Sequence, residues 1–176
     1  MSEGILLPPL ARGTLLTEGE RIARLDAALP QIRAAIEGEH DAVALEATLA
    51  CLLWETLVQT NWCGFYRRID PRTLAVGPYQ GTMGCLRIDL ARGVCGACAR
   101  TGELQLVADV SLFPGHIACD ARTRSELVVP VRRTRAHDGE VLAVLDLDSP
   151  HTDAFSRGEA DRLVVLLGDA FDGAAF

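Results

Sequence analysis

Asn61-Trp62-Cys63-Gly64-Phe65-Tyr66-Arg67-Arg68-Ile69-Asp70-Pro71-Arg72-Thr73-Leu74-Ala75-Val76-Gly77-Pro78-Tyr79-Gln80 decides the fold class. Segments 63–69 and 74–80 are rich in apolar and aromatic residues, and Asp70-Pro71-Arg72-Thr73 between them has turn chemistry, so the stretch predicts two antiparallel strands. A third segment over 85–90 continues the meander. Downstream, the pattern predicts a short Ala/Gly/Cys-rich helix over 94–101 and a strand over 104–108. An irregular stretch over 109–124 follows, holding Pro114-Gly115-His116. A loop of that length inside a compact domain is usually functional or disordered. Strands over 126–132 and 141–146, joined at His137-Asp138-Gly139, and an amphipathic helix over 158–171 complete the chain.

Upstream of the meander, Thr17-Glu18-Gly19-Glu20 has the spacing of a capping box and predicts a helix start. Ile22, Leu25, Ala28, Leu29, Ile32 and Ile36 recur at helical spacing, with an end expected near Gly38. Pro30 lacks a backbone donor and is expected to kink or divide this helix. Asp41 can cap a second helix carrying Val43, Leu45, Leu49, Leu52, Leu53 and Leu57, whose apolar coverage predicts burial of more than one face. Five or six strands bracketed by helices make an α+β fold, with a mainly antiparallel sheet covered by helices on at least one face. Fold alone does not give function.

The chain has 176 residues, 49% apolar and 23% charged, which suits one folded domain; we expect an N-terminal extension over 1–16 and a single domain over 17–172. Lys+Arg 17 against Asp+Glu 24 leaves a net charge of -7, which argues against nucleic acid or an anionic membrane as partner. No apolar run approaches the ~20 residues of a bilayer span, and no basic region precedes Ile5-Leu6-Leu7, so a cytoplasmic protein is expected. Its six cysteines are then expected to be reduced thiols by default.

Cys85, Cys95, Cys98 and Cys119 fall within 35 residues, whereas Cys51 lies among helical apolars and is expected in the core. Cys63 at a strand start reads as a buried small hydrophobe. Cys95-Gly96-Ala97-Cys98 matches C-x-x-C but follows a meander instead of opening a βαβ unit, which weakens a thioredoxin-like reading. Zinc held by Cys85, Cys95, Cys98 and Cys119 or His116 is weakened by the lack of a second C-x-x-C, and no metal is expected.

Asp146-Leu147-Asp148 closes an apolar strand, and residues two apart on a strand share a face. Two like charges there need a cation, a proton or a donor to answer them, unless the strand has already ended and both are solvated. Glu126, opening the neighbouring strand, can join them or remain a surface charge. Trp62 and Tyr66, four apart on a strand, share a face as core or as pocket wall. His116 is a loop hydrogen-bonding group or a proton shuttle, and Arg132-Arg133-Thr134-Arg135 reads as a solvated turn.

Several ordered motifs carry a resemblance. Asn61-Trp62-Cys63-Gly64-Phe65-Tyr66, Gly77-Pro78-Tyr79-Gln80-Gly81, Gly93-Val94-Cys95-Gly96, Phe113-Pro114-Gly115-His116-Ile117-Ala118-Cys119-Asp120, Ser125-Glu126-Leu127-Val128-Val129-Pro130 and Val144-Leu145-Asp146-Leu147-Asp148-Ser149-Pro150 resemble the free methionine-(R)-sulfoxide reductases, a GAF-domain family. The match runs from about Ala42 to Leu167. It implies a GAF-like six-stranded sheet, N- and C-terminal helices on one face and a ligand pocket on the other. It implies reduction of free L-methionine-(R)-S-oxide, with thioredoxin returning electrons from NADPH through thioredoxin reductase, no bound cofactor, and a homodimer.

Carried onto matching positions, the resemblance makes Cys119 the attacking cysteine, Cys85 the principal resolving cysteine and Cys95 a further redox partner. Glu126, Asp146 and Asp148 would bind and polarise the substrate, and Trp62 with Tyr66 would line the pocket. Cys98, and Cys63 where Val is common, depart from the family pattern. A non-catalytic GAF ligand-binding or redox-sensing module is the alternative.

Overall fold

The structure, a computed structural model, describes residues 5–116, 120–134 and 139–176. Helix α1 (Glu18–Ala35) opens on the expected capping box: the Thr17 hydroxyl accepts from the Glu20 N–H at 3.4 Å, and the Glu20 carboxylate accepts the Thr17 N–H at 2.9 Å. Pro30 lies within α1 without dividing it. Its missing N–H forfeits one bond, to the Asp26 carbonyl, while buried Leu25, Ala28 and Ile32 hold the helix to the core. The helix stops at Ala35, short of Gly38, which turns the chain at φ +77.

Asp41 caps α2 (Ala42–Thr56) by accepting the Ala44 N–H at 2.8 Å. The expected wide burial narrows to one stripe, Leu45, Leu49, Ala50 and Leu53, with Val43 left exposed. Cys51 points away from that stripe and is exposed, which corrects its expected place in the core.

Six strands follow: β1 (Trp62–Asp70), β2 (Thr73–Gly81), β3 (Arg87–Asp89), β4 (Gln105–Val107), β5 (Ser125–Arg132) and β6 (Val141–Ser149). They form one sheet in the order β3-β2-β1-β6-β5-β4, antiparallel at every pairing. Helix α3 (Gly93–Thr101) lies between β3 and β4 in sequence, and α4 (Arg157–Ala170) ends the chain.

Alternation along the strands sorts the sheet into two faces. Cys63 and Phe65 on β1, Leu127, Val129 and Val131 on β5, and Ala143, Leu145 and Leu147 on β6 pack against α1, α2 and α4. Each fully buried leucine or phenylalanine there contributes about 1.5–3 kcal/mol. Trp62, Tyr66, Val128 and Val144 face the other way, toward α3.

Arg132 corrects the expected solvated turn. It is half-buried, and its guanidinium donates to the Gly102 carbonyl at the end of α3 and to the Gly139 carbonyl at 2.7 Å, tying α3 to the β5–β6 connection. Arg135, His137 and Asp138 of that connection lie outside the described residues.

Candidate active site

The α3 face of the sheet carries the carboxyl cluster. Strand β6 runs through Ser149, three residues past its expected end, because Asp148 pairs with Trp62 on one side and with Glu126 on the other. The reading of Asp146 and Asp148 as solvated residues past the strand is thereby overturned. Glu126, Asp146 and Asp148 are only 6%, 5% and 9% exposed and line one cavity.

Burial is the largest cause raising the pKa of all three carboxyls above the ordinary carboxylate range. For Glu126 the charges of Asp146 and Asp148 add to it, and for Asp148 those of Asp146 and Asp120. For Asp146, hydrogen bonds from Cys95 and Glu126 oppose burial without cancelling it. Such a trio retains protons that isolated carboxylates would have lost near neutral pH.

Cys95, in the first turn of α3, brings its Sγ to 3.7 Å from Glu126 Oε1. Burial, then the charges of Asp146 and Glu126, hold this group as a thiol well above its ordinary range. Cys98 turns into the packing beneath β5, where its Sγ donates to the Val128 carbonyl at 3.7 Å. The C-x-x-C thiols are both free and serve different places. Cys63 is buried and donates to the Ala50 carbonyl at 3.7 Å, consistent with its reading as a small hydrophobe.

The opposite wall is aromatic. Trp62 stacks on Tyr66 with centroids 5.4 Å apart and on Tyr79 at 5.2 Å. Trp62 Nε1 donates to the Thr82 carbonyl at 3.0 Å, fixing the indole. Tyr66 is held as a phenol by burial and then by the Asp146 charge, and its hydroxyl accepts a backbone N–H from Cys85. Gly84 must be glycine here, since a Cβ would stand 2.8 Å from the Tyr66 oxygen.

Cys85 is disulfide-bonded, whereas Cys51, Cys63, Cys95 and Cys98 are free. Cys119, the attacking cysteine implied by the resemblance, lies outside the described residues, as do Ile117 and Ala118. The loop flanking them includes a short 3-10 turn over Val110–Leu112 and is tied down by Asp120. The Asp120 carboxylate accepts from Asn61 Nδ2 at 3.2 Å, Thr82 Oγ1 at 3.0 Å and Arg122 at 2.7 Å. Chiefly through Arg122, these bonds hold its pKa well below the usual carboxylate range, so the group stays ionised.

His116 Nε2 approaches Glu126 Oε2 at 3.8 Å, and burial lowers the histidine's proton affinity. Thus Trp62, Tyr66, Cys95, Glu126, Asp146 and Asp148 surround one cavity, with about 30 Å³ of free space. That is room for about two waters. Met83, Asp120 and Thr123 also line it, and Tyr79 backs Trp62, none of them having been singled out from sequence. Tyr79 and Asp120 did stand within the ordered motifs that carry the resemblance, which was the available signal.

A protein-family model described as GAF domain matches residues 23–170. A Bacillus subtilis (strain 168) protein, YtsP, is 43% identical over 128 residues, 72% of this chain and 76% of its own. The free methionine-R-sulfoxide reductase of Escherichia coli (strain K12) is 41% identical over 116 residues, 66% of this chain and 67% of its own. The solved structure of free methionine-R-sulfoxide reductase from Neisseria meningitidis in complex with its substrate matches at TM-score 0.77 and 35% identity, covering 92% of this chain and 96% of that one.

Proposed function

Because this chain belongs to the GAF-domain family of free methionine-R-sulfoxide reductases, we propose that it reduces free methionine-(R)-sulfoxide to methionine through a cysteine pair. The observation that carries the chemistry is the buried carboxyl trio facing an aromatic wall beside a disulfide-bonded Cys85. Cys119 is the nucleophile. Its thiolate attacks the sulfoxide sulfur while a protonated carboxyl of the trio delivers a proton to the departing oxygen. Methionine leaves, and Cys119 becomes a sulfenic acid.

The Cys85 thiol then displaces water from that sulfenic acid and forms the disulfide. In total, one sulfoxide and two thiols give one thioether, one disulfide and one water. Cys85 is the only described cysteine in a disulfide, which supports this pairing over one with Cys95. A thioredoxin-class dithiol reopens the disulfide by exchange.

The carboxylates that have lost their protons receive the substrate ammonium, and Trp62 with Tyr66 receive its methyl end. A small cavity walled by buried carboxyls and stacked aromatics suits a free amino acid better than a peptide chain.

The test is NADPH consumption coupled through thioredoxin reductase and thioredoxin, comparing free R- and S-sulfoxide with a peptide-bound form. Turnover confined to the free R-epimer, abolished by Cys119→Ser, is expected. Turnover retained in Cys119→Ser eliminates that nucleophile, and consumption indifferent to the sulfoxide eliminates the reductase.

A further inference from the structure

Cys95, Glu126 and Asp146 each present one ligand-type atom, and these atoms lie within 4.8 Å of one another, all buried. Asp146 Oδ1 has no hydrogen-bond partner, although its residue is 5% exposed and lines the cavity. An enclosed oxygen with no donor is costly, and a cation would relieve it. His116 opens onto the same cavity with its Nε2 3.8 Å from Glu126 Oε2.

We propose that this cavity is a binding site for one zinc-class divalent ion, held by Cys95, Glu126, Asp146 and His116, and that the ion excludes the amino-acid substrate. The donor set decides the ion. A thiolate and an imidazole beside two carboxylates suit Zn²⁺, whereas Mg²⁺ and Ca²⁺ take oxygen alone. Tetrahedral zinc with bonds of about 2.0–2.3 Å sets its ligand atoms about 3.3–3.8 Å apart, so the Cys95, Glu126 and Asp146 atoms need to contract by about 1 Å, and His116, placed by its 3.8 Å approach to Glu126, must turn further toward them. Side-chain rotation covers that, and about 30 Å³ of free space admits an ion.

Binding replaces the Cys95 S–H by a sulfur–metal bond, and the proton leaves to solvent without any redox step. Cys98 takes no part, since its Sγ is turned to the Val128 carbonyl. Exclusion of substrate rests on the reductase reading, because the ion occupies two members of the carboxyl trio. The ion site itself does not.

Co²⁺ serves as the probe, titrated into protein kept with Cys85 in its disulfide so that this sulfur is not a competing thiol. The expected result is a thiolate-to-cobalt absorption band saturating at one ion per chain, displaced by Zn²⁺. It should be lost in Cys95→Ser, weakened at least tenfold in Asp146→Asn and retained in Cys98→Ser. Circular dichroism checks each fold, and Asp146→Asn decides the matter if Cys95→Ser does not fold. No saturable band in the wild-type chain, or one unchanged by these substitutions, overturns the site. In reduced Cys119→Ser, free methionine sulfoxide should reverse the cobalt band, and failure to reverse it overturns the exclusion. An intact band in a wild-type chain without sulfoxide turnover upholds the site and refutes only the reductase reading.

Discussion

Glu46→Gln offers a quantitative test of the electrostatics beneath the helical face. Glu46 lies on α2 with no exposed surface, and neither of its carboxylate oxygens has a hydrogen-bond partner. Among the described residues its ion-pair partner is the part-exposed Arg67, whose Nε stands 3.6 Å away, while the Asp41 charge opposes ionisation. Burial therefore outweighs the attraction of Arg67 and pushes the Glu46 carboxyl up from 4.5 to about 7. Between those two values the folded chain holds a proton that the unfolded chain has released, so stability falls as pH rises through the window.

At about 1.4 kcal/mol per pH unit, the contribution lost by pH 8.5 is about 3 kcal/mol. Glutamine keeps the shape and cannot ionise. Urea unfolding of both proteins at pH 5, 6, 7 and 8.5 should show the variant gaining on the wild type by about 1–3 kcal/mol toward high pH, with the difference developing between pH 5 and 8. Taking the difference cancels the other titrating groups. Parallel stability profiles for the two proteins would refute the reasoning.

Asp146→Asn should lower kcat by about 10²- to 10⁴-fold if its carboxyl supplies the proton, and by far more than Cys98→Ser does. Steady-state kinetics on folded variants make the comparison, and equal losses would remove Asp146 from the acid role. Gly64→Ala sets a Cβ 2.2 Å from the Tyr79 Cβ across the β1–β2 pairing, so we expect about 1–3 kcal/mol of destabilisation in urea unfolding. Asp120→Ala releases Asn61, Thr82 and Arg122 together. Opening of the surrounding loop should become about 5–30-fold more frequent by hydrogen exchange, with global stability little changed.

Helix starts were legible because a cap is a local device: Thr17 with Glu20, and Asp41 with Ala44, act within four residues. Strand faces were legible for the same reason, since a period of two needs no partner to be seen. The end of β6 was not, because Asp148 stays in the sheet only through its neighbours Trp62 and Glu126, far away in sequence. The exposure of Cys51 was also hidden. Every face of α2 carries apolar residues, and only the placement of β1 and β2 chooses the stripe that is covered. Asp120 was missed as an anchor because it joins Asn61 and Thr82, residues far away in sequence that meet it only after folding. Arg132 looked like one member of a basic turn, and only the nearby end of α3 gives it two carbonyls to hold.

The adjacency of β1 and β6 in the middle of the sheet has a consequence for biosynthesis. A ribosome that has released everything up to residue 140 has made the aromatic wall but neither of the two aspartates that face it. No partial product is able to assemble the pocket, and the closing pairing spans about eighty residues of intervening chain, a non-local contact of the kind that slows folding.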